Sequence, residues 1–335
     1  MKRVVVSVLA ALGMLAQASA GDLSMNFLAA YYIPNLAGYQ SSGFAPITYT
    51  PVEGKDAPNA LRTLGSTWGG AEAKVAFSYS DSMPFMVGEG LMAGNNVKGQ
   101  ATLELSPVSI NTVGQVSLTP IAFLVFNTGA GLGTGWTAGP FQGLALNPAS
   151  NDVSSVDLTP FGGVVWRVWG AGTFQFDLAA LMPGDWNHVV VVATGKVEYR
   201  AYTGAQNGQA WLYEADGGEN FNGAKFYGTY ILGYQMPLKV NFVGFIAESD
   251  EWIGEVRNYS TMDSGGWGSD FRTWQLGSLT NVQFGEKDSL LVLVQFKQAR
   301  DYTDATTRNR SFETRVYEAP YWYFNRIALS YTHKF

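Results

Sequence analysis

The side chains able to do chemistry are few. The chain contains two histidines, His188 and His333, and no cysteine. Disulfides, thiolate metal sites and cysteine nucleophiles are therefore unavailable. A histidine metal site would need both rings in one place together with a third ligand, and nothing in the spacing brings them together. No catalytic residue, metal ligand or cofactor is assigned. What the sequence offers instead is fixed charge at alternate positions, as in Lys196, Glu198 and Arg200 or in Glu72 and Lys74. Charges so placed can steer a solute; they do not react with it.

Alternation is the mark of the β-strand, whose successive side chains point to opposite faces. Ala71 to Ser80 sets Ala73, Val75, Phe77 and Tyr79 against Glu72, Lys74, Ala76 and Ser78. Carried along the chain, one face is apolar. The other collects Glu72, Lys74, Glu104, Arg167, Asp177, Lys196, Glu198, Arg200, Lys225, Lys239, Lys297 and Arg326. Bases outnumber acids in this set, although the whole chain carries a formal net charge of −6. That acidic balance argues against a nucleic-acid partner, which requires a basic footprint.

The N-terminus indicates the compartment. Met1-Lys2-Arg3 is a positive head, Val4 to Ala16 an apolar run, and Ala18-Ser19-Ala20 a small-residue cleavage site. Residues 1–20 thus read as a secretory signal peptide and 21–335 as one mature domain. No later apolar run is long enough for a membrane helix. A low charged fraction of 14%, an equal aromatic fraction and 39 glycines fit a wall that faces lipid and turns often. A bilayer can be crossed without helices only by a closed β-barrel.

Candidate strands recur at 22–32, 59–68, 71–80, 98–106, 115–127, 141–147, 163–169, 173–182, 188–202, 223–235, 238–249, 270–284, 289–300 and 321–335. The stretches Gly69-Gly70 and Gly170-Ala171-Gly172 read as turns, and Thr128 to Gly135 as a glycine-rich loop. That loop lacks the lysine and the strand–helix setting of a phosphate cradle. Further turns lie near Pro183, Met236 and Gly285, with long stretches at 203–222, 250–269 and 301–319. Short turns at one end and long loops at the other are a barrel property. Aromatics near strand ends (Trp166, Trp169, Trp186, Trp252, Trp274, Trp322, Tyr323, Phe284 and Phe335) fit the headgroup zone. The expectation is an all-β transmembrane antiparallel barrel of about 14 strands, with 12 or 16 as alternatives.

The last strand carries the one specific motif. Phe335, Tyr331, Leu329 and Ile327 share a face, with His333 as a departure. This segment resembles the C-terminal signal strand of bacterial outer-membrane barrels. The resemblance implies a porin-like barrel in the cell outer membrane. It also implies recognition by the barrel-assembly machinery through Leu329, Tyr331 and Phe335, with lipid as the surrounding partner. It leaves open a homo-oligomer, as in trimeric porins. Outer-membrane phospholipases and omptin-type proteases are barrels that work through a histidine; no motif here matches either, and the reading is non-enzymatic.

The function expected is a channel for passive diffusion of small polar solutes. An anion bias would be set by Arg167, Lys196, Arg200, Lys225, Lys239, Lys297 and Arg326, with Glu198 among the pore-lining charges. One alternative is a closed structural or adhesin-like barrel whose outer loops, such as Asn207 to Asn222, bind a surface. Another is a transporter of hydrophobic solutes, suggested by Phe123, Val125, Phe245 and Leu293 on the expected inner face. The fatty-acid transporter family is similar in strand number, and Asn147-Pro148-Ala149 resembles its hatch motif, but lies mid-chain.

Overall fold

The computed structural model describes residues 21–33, 70–138, 141–146, 161–209, 211–214, 220–261, 269–302 and 317–335. The expected signal peptide at 1–20, the candidate strand at 59–68 and Asn147-Pro148-Ala149 lie outside the described residues. In chain order the strands are β1 (Asp22–Tyr32), β2 (Gly70–Pro84), β3 (Asn96–Leu105), β4 (Ser109–Ile121) and β5 (Leu124–Gly135). Three short pieces follow, β6 (Thr137–Ala138), β7 (Phe141–Gln142) and β8 (Leu144–Leu146). Then come β9 (Val165–Asp177), β10 (His188–Tyr202), the short β11 (Trp211–Tyr213), β12 (Gly223–Gln235), β13 (Val240–Ile253), β14 (Thr273–Gln283), β15 (Asp288–Tyr302) and β16 (Tyr317–Lys334).

Among the described residues 12 of these strands close into one antiparallel barrel, each beside its sequence neighbour, with β1 sealing against β16. The Phe335 amide donates to the Leu23 carbonyl at 3.0 Å, which carries the seam to the last residue. No edge is left open, as a wall in hydrocarbon requires.

The expected count of about 14 becomes 12, one of its alternatives: the candidate strand at 59–68 lies outside the described residues and 141–147 adds no barrel strand, while two glycine-rich segments, read as a turn and a loop, cancel in the count. Gly170-Ala171-Gly172 is no turn; it runs through β9, paired with Phe126, Asn127 and Thr128 on one side and with Gly195, Lys196 and Val197 on the other. Thr128 to Gly135 is no loop but most of β5. The expected strand at 115–127 contains a hairpin turn at Ala122-Phe123, between β4 and β5. The segment 141–147 contributes only short pieces that leave the barrel wall.

The exterior is the apolar face. Phe245 is 73% exposed, Leu132 58% and Leu232 54%, as lipid-facing positions must be. Phe245, expected inside, thus faces out. In β16 a register shift opposite Gln295/Phe296 leaves Asn325 unpaired, so that beyond this bulge the even positions face outward. Phe324 then stacks on Phe296 at 5.2 Å, and Trp322 joins the exterior at 46% exposed. Trp166 with Tyr199, and Tyr230 with Trp274, form further stacked pairs. Trp169 and Trp252 do not belong to this set. Trp169 lines the lumen, and Trp252 is buried against Phe221.

Connections at the end bearing both termini are 85–95, 122–123, 178–187, 236–239 and 284–287, mostly short. At the other end they are 33–69, 106–108, 136–164, 203–222, 254–272 and 303–316. The long–short asymmetry holds except for the tight 106–108. A charge on the exterior provides the test. Phe245→Lys should cost about 2–4 kcal/mol near the bilayer midplane, measured by urea titration of the barrel in lipid vesicles, whereas Leu293→Lys on the inner face should cost far less.

Candidate functional site: a partitioned, charged lumen

The loop end of the barrel is filled from within. Residues from the β5–β9 and β10–β12 connections fold inward, and β8 pairs with β11 as a separate two-stranded sheet. Its apolar side chains have gathered a core of their own. Trp211 and Leu144 are buried with Val165, Tyr202 and Tyr213. The Asn222 side-chain oxygen accepts from the Tyr202 amide at 2.8 Å and from Trp211 Nε1 at 3.1 Å, while its amide donates to the carbonyls of Tyr202 and Ala205. Asn220 exchanges backbone hydrogen bonds with Trp211. Gly143 is required by close approach, since a Cβ there would meet the Val108 carbonyl oxygen at 1.8 Å.

One side chain latches this infolded sheet to the far wall. Glu214, next after β11, accepts from Lys74 Nζ at 2.8 Å on β2, and from Ser109 Oγ at 2.5 Å and Asn111 Nδ2 at 2.8 Å on β4. The Tyr213 hydroxyl donates to Asn111 Oδ1 at 2.5 Å. In the barrel order β2 lies across from β10 and β12, the strands that the connection joins. The latch therefore spans the lumen. Burial alone would push the Glu214 carboxyl up, but the Lys74 ammonium and the two hydrogen bonds hold it below the usual carboxylate range.

The expected pore charges take definite places. Arg167, Lys196, Glu198 and Arg200 sit together on β9 and β10, where Arg167 and Arg200 are direct cross-strand partners. Glu198, 1% exposed, is bonded by Lys196 at 2.9 Å and by Arg200 through Nε at 3.0 Å and an Nη at 2.8 Å. Lys225 pairs with Asp250 and lies over the Tyr227 and Trp252 rings. Arg326 donates to Gln295 Oε1 at 2.7 Å, beside Tyr32. Lys297 lines the same chamber as Arg326. Lys239 stands outside the strands, in the exposed connection between β12 and β13.

Three acids escaped the sequence reading. Glu248 lies within the expected strand 238–249, but reading Lys239 and Phe245 as inward puts its position outside; Asp250 stands one residue past that expected end on β13, and Gln295 donates to Glu248. Glu214 reaches the lumen by a loop, which no strand pattern reveals. The basic excess read from alternation is thus offset by acids. The histidines lie apart: His188 Nδ1 is 2.6 Å from Asp177 at the inner turn end, and His333 Nδ1 is 2.7 Å from Asp288, which also accepts from the Tyr331 hydroxyl. Of the assembly-signal residues, Leu329 and Phe335 are exposed on the exterior.

Space remains beside the infolded sheet. One chamber of about 400 Å³ is lined by Glu72, Lys74, Glu214, Arg200, Lys297 and Arg326, among others. A second, of about 470 Å³, is lined by hydroxyl and amide side chains with Trp169, Lys196, Glu198 and Tyr227. Glu104 and Arg167 line both.

A latch carboxylate with a lowered pKa stabilises the sheet at neutral pH, and that contribution is lost as pH falls through its folded pKa. Acidification below the usual carboxylate range should therefore expose 203–222 to limited proteolysis. Glu214→Gln should cost about 1.5–3 kcal/mol of sheet docking and give the same cleavage at pH 7.

No family model matches the chain, and no curated protein matches it in sequence. Among solved structures, an outer-membrane channel from Pseudomonas putida F1 is similar at 10% identity and TM-score 0.44, over 95% of this chain and 97% of that one. The KdgM porin is similar at 8% identity and TM-score 0.37, over 93% and 99%. The outer-membrane channel DcaP of Acinetobacter baumannii is similar at 9% identity and TM-score 0.34, over 94% and 96%. At such identities they assign neither solute nor partner to this chain. The closed barrel and its apolar exterior are what crossing a bilayer without helices demands: the chain folds as a membrane-spanning antiparallel β-barrel.

Proposed function

We propose that this barrel is a channel for the passive diffusion of small polar solutes. The observation that supports the reading is the pair of adjoining chambers lined by charged, hydroxyl and amide side chains. An apolar solute would have to strip water from those groups, and each unpaired charge would resist it. The inward apolar side chains Val125, Ile246, Leu279 and Leu293 are outnumbered by the charged, hydroxyl and amide lining and do not favour the hydrophobic-transporter reading. By the usual orientation of such barrels, the long loops face outside and both termini the periplasm. The infolded sheet then partitions the outer half of the lumen.

Anion bias belongs to the same proposal but on narrower ground than alternation suggested. Lys225 is neutralised by Asp250, and Lys239 stands in a connection. The bias rests on Arg167, Lys196 and Arg200, which gather about the single carboxylate of Glu198.

The infolded sheet favours a second reading, a closed barrel whose outer loops bind a surface. Single-channel recording of the refolded chain in a planar bilayer separates the two. Ohmic steps are expected, with an anion preference on the order of a few-fold in a salt gradient. Glu214→Ala should enlarge the steps by freeing the sheet. Silence from protein that shows the heat-modifiable gel mobility of a folded barrel would select the closed reading.

A further inference from the structure

The lumen carries two charge clusters of opposite composition. At β2 and β3 three carboxylates, the third brought by the infolded connection, surround one ammonium: Lys74 Nζ lies 2.8 Å from Glu214, 3.9 Å from Glu72 and 4.0 Å from Glu104. On β9 and β10 three cations attend one carboxylate, with Glu198 bonded by Lys196 and Arg200, and Arg167 beside Arg200. Each cluster is left with an excess, negative on one wall and positive on the other. The two walls are separated by β4 and β5.

The excess charges meet at one place. Glu104 and Arg167 are the two residues lining both chambers, so the chambers meet at these two side chains in a neck. Among the described residues no ion pair joins them to each other. Among the described residues, Glu104 pairs with Lys74 alone, at 4.0 Å, while Arg167 lies over the Trp169 ring, 5.5 Å from its centroid, and shares the field of Glu198 with Lys196 and Arg200. Nor does a side chain of β5 stand between them. Its inward positions there are Gly131 and Gly133, and a Cβ at 131 would lie 3.0 Å from Arg167 Nε. The guanidinium lies back along the bare wall, open to the neck.

We propose that this neck selects small zwitterionic solutes, those carrying an ammonium and a carboxylate on one short carbon frame, as amino acids do. The inference rests on the channel reading. A lone anion gains from Arg167 and is repelled by the Glu104 wall, and a lone cation meets the reverse. A zwitterion lying across the neck gains at both ends, with its carboxylate on the guanidinium and its ammonium on the carboxylate. Fixed charges of both signs thus give a preference that net lumen charge alone would not.

The test is swelling of liposomes holding the full mature chain, after ohmic steps have been recorded from the same preparation. The probes are matched in size: β-alanine as zwitterion, lactamide as neutral, sodium lactate as anion. Wild-type protein should admit β-alanine about three- to tenfold faster than either of the others. Glu104→Gln should lose that preference and favour lactate; Arg167→Gln should lose it without favouring lactate. The double exchange Glu104→Arg with Arg167→Glu should restore it, because a reversed dipole accepts a reversed solute; a merely structural role would not be rescued in this way. Conductance with equal wild-type rates for the three probes would overturn the inference and leave the channel standing. So would an undiminished β-alanine preference in both single variants. A folded barrel with neither steps nor swelling would overturn both readings.

Discussion

Hydrocarbon accepts neither an unpaired backbone group nor a bare charge, and the rest of this molecule follows from that constraint. It forces the wall to close, so β1 meets β16 and the pairing runs on to Phe335. It also clears the exterior, leaving positions such as Phe245, Leu132 and Leu232 to lipid. The charges of the strands are driven inward together, and there they must satisfy one another. Lys225 takes Asp250, Glu198 takes Lys196 and Arg200, and Lys74 takes three carboxylates. The lumenal clusters are the inner consequence of an outer prohibition.

The same constraint decides what was legible in the sequence. Lipid imposes a period of two, so the sidedness of Glu72, Lys74, Arg167, Lys196, Glu198 and Arg200 could be read from alternation. Glycine could not be read so easily. In a soluble strand it marks a bend or a break, and by that rule Gly170-Ala171-Gly172 and Thr128 to Gly135 read as connections. In a barrel, pairing on both sides holds them extended despite their poor β-propensity. The bulge at Asn325 was equally silent, because one unpaired residue exchanges faces without altering composition. Glu214 lay beyond pattern altogether. Its place depends on where a loop folds, and the local hint was only the apolar run Trp211-Leu212-Tyr213 within a polar stretch.

The glycines of β5 bear on the site as well as on the strand count. At its inward positions 129, 131, 133 and 135 the wall has no side chains, and other groups lie on it. A Cβ at Gly129 would meet Trp169 at 2.2 Å; at Gly133, Asn111 and Tyr213 at 2.1 Å; at Gly135, Gly143 of the infolded segment at 2.7 Å. Trp169 and Arg167 occupy the lower part of this bare strip, and the infolded sheet the upper part. A strand with ordinary inward side chains would push all of them toward the axis and fill the space now left as chambers. The strip therefore sets the lumen's free cross-section as much as the number of strands does.

Glu214 ties the position of the infolded sheet to the charge of the lumen. Without it, Lys74 would face only Glu72 and Glu104, at 3.9 and 4.0 Å, and the wall would carry less negative excess. With it, the ammonium is drawn to 2.8 Å of one carboxylate; Glu72 accepts from the Tyr32 hydroxyl at 2.8 Å, and Glu104 is left 4.0 Å from the ammonium beside the chambers. The latch that seats the sheet is thus also what leaves Glu104 poorly neutralised. A change that protonates or removes Glu214 acts twice: it frees the sheet, and it returns Lys74 to Glu72 and Glu104. Width and charge at this end of the lumen cannot vary independently, because a single carboxylate sets both.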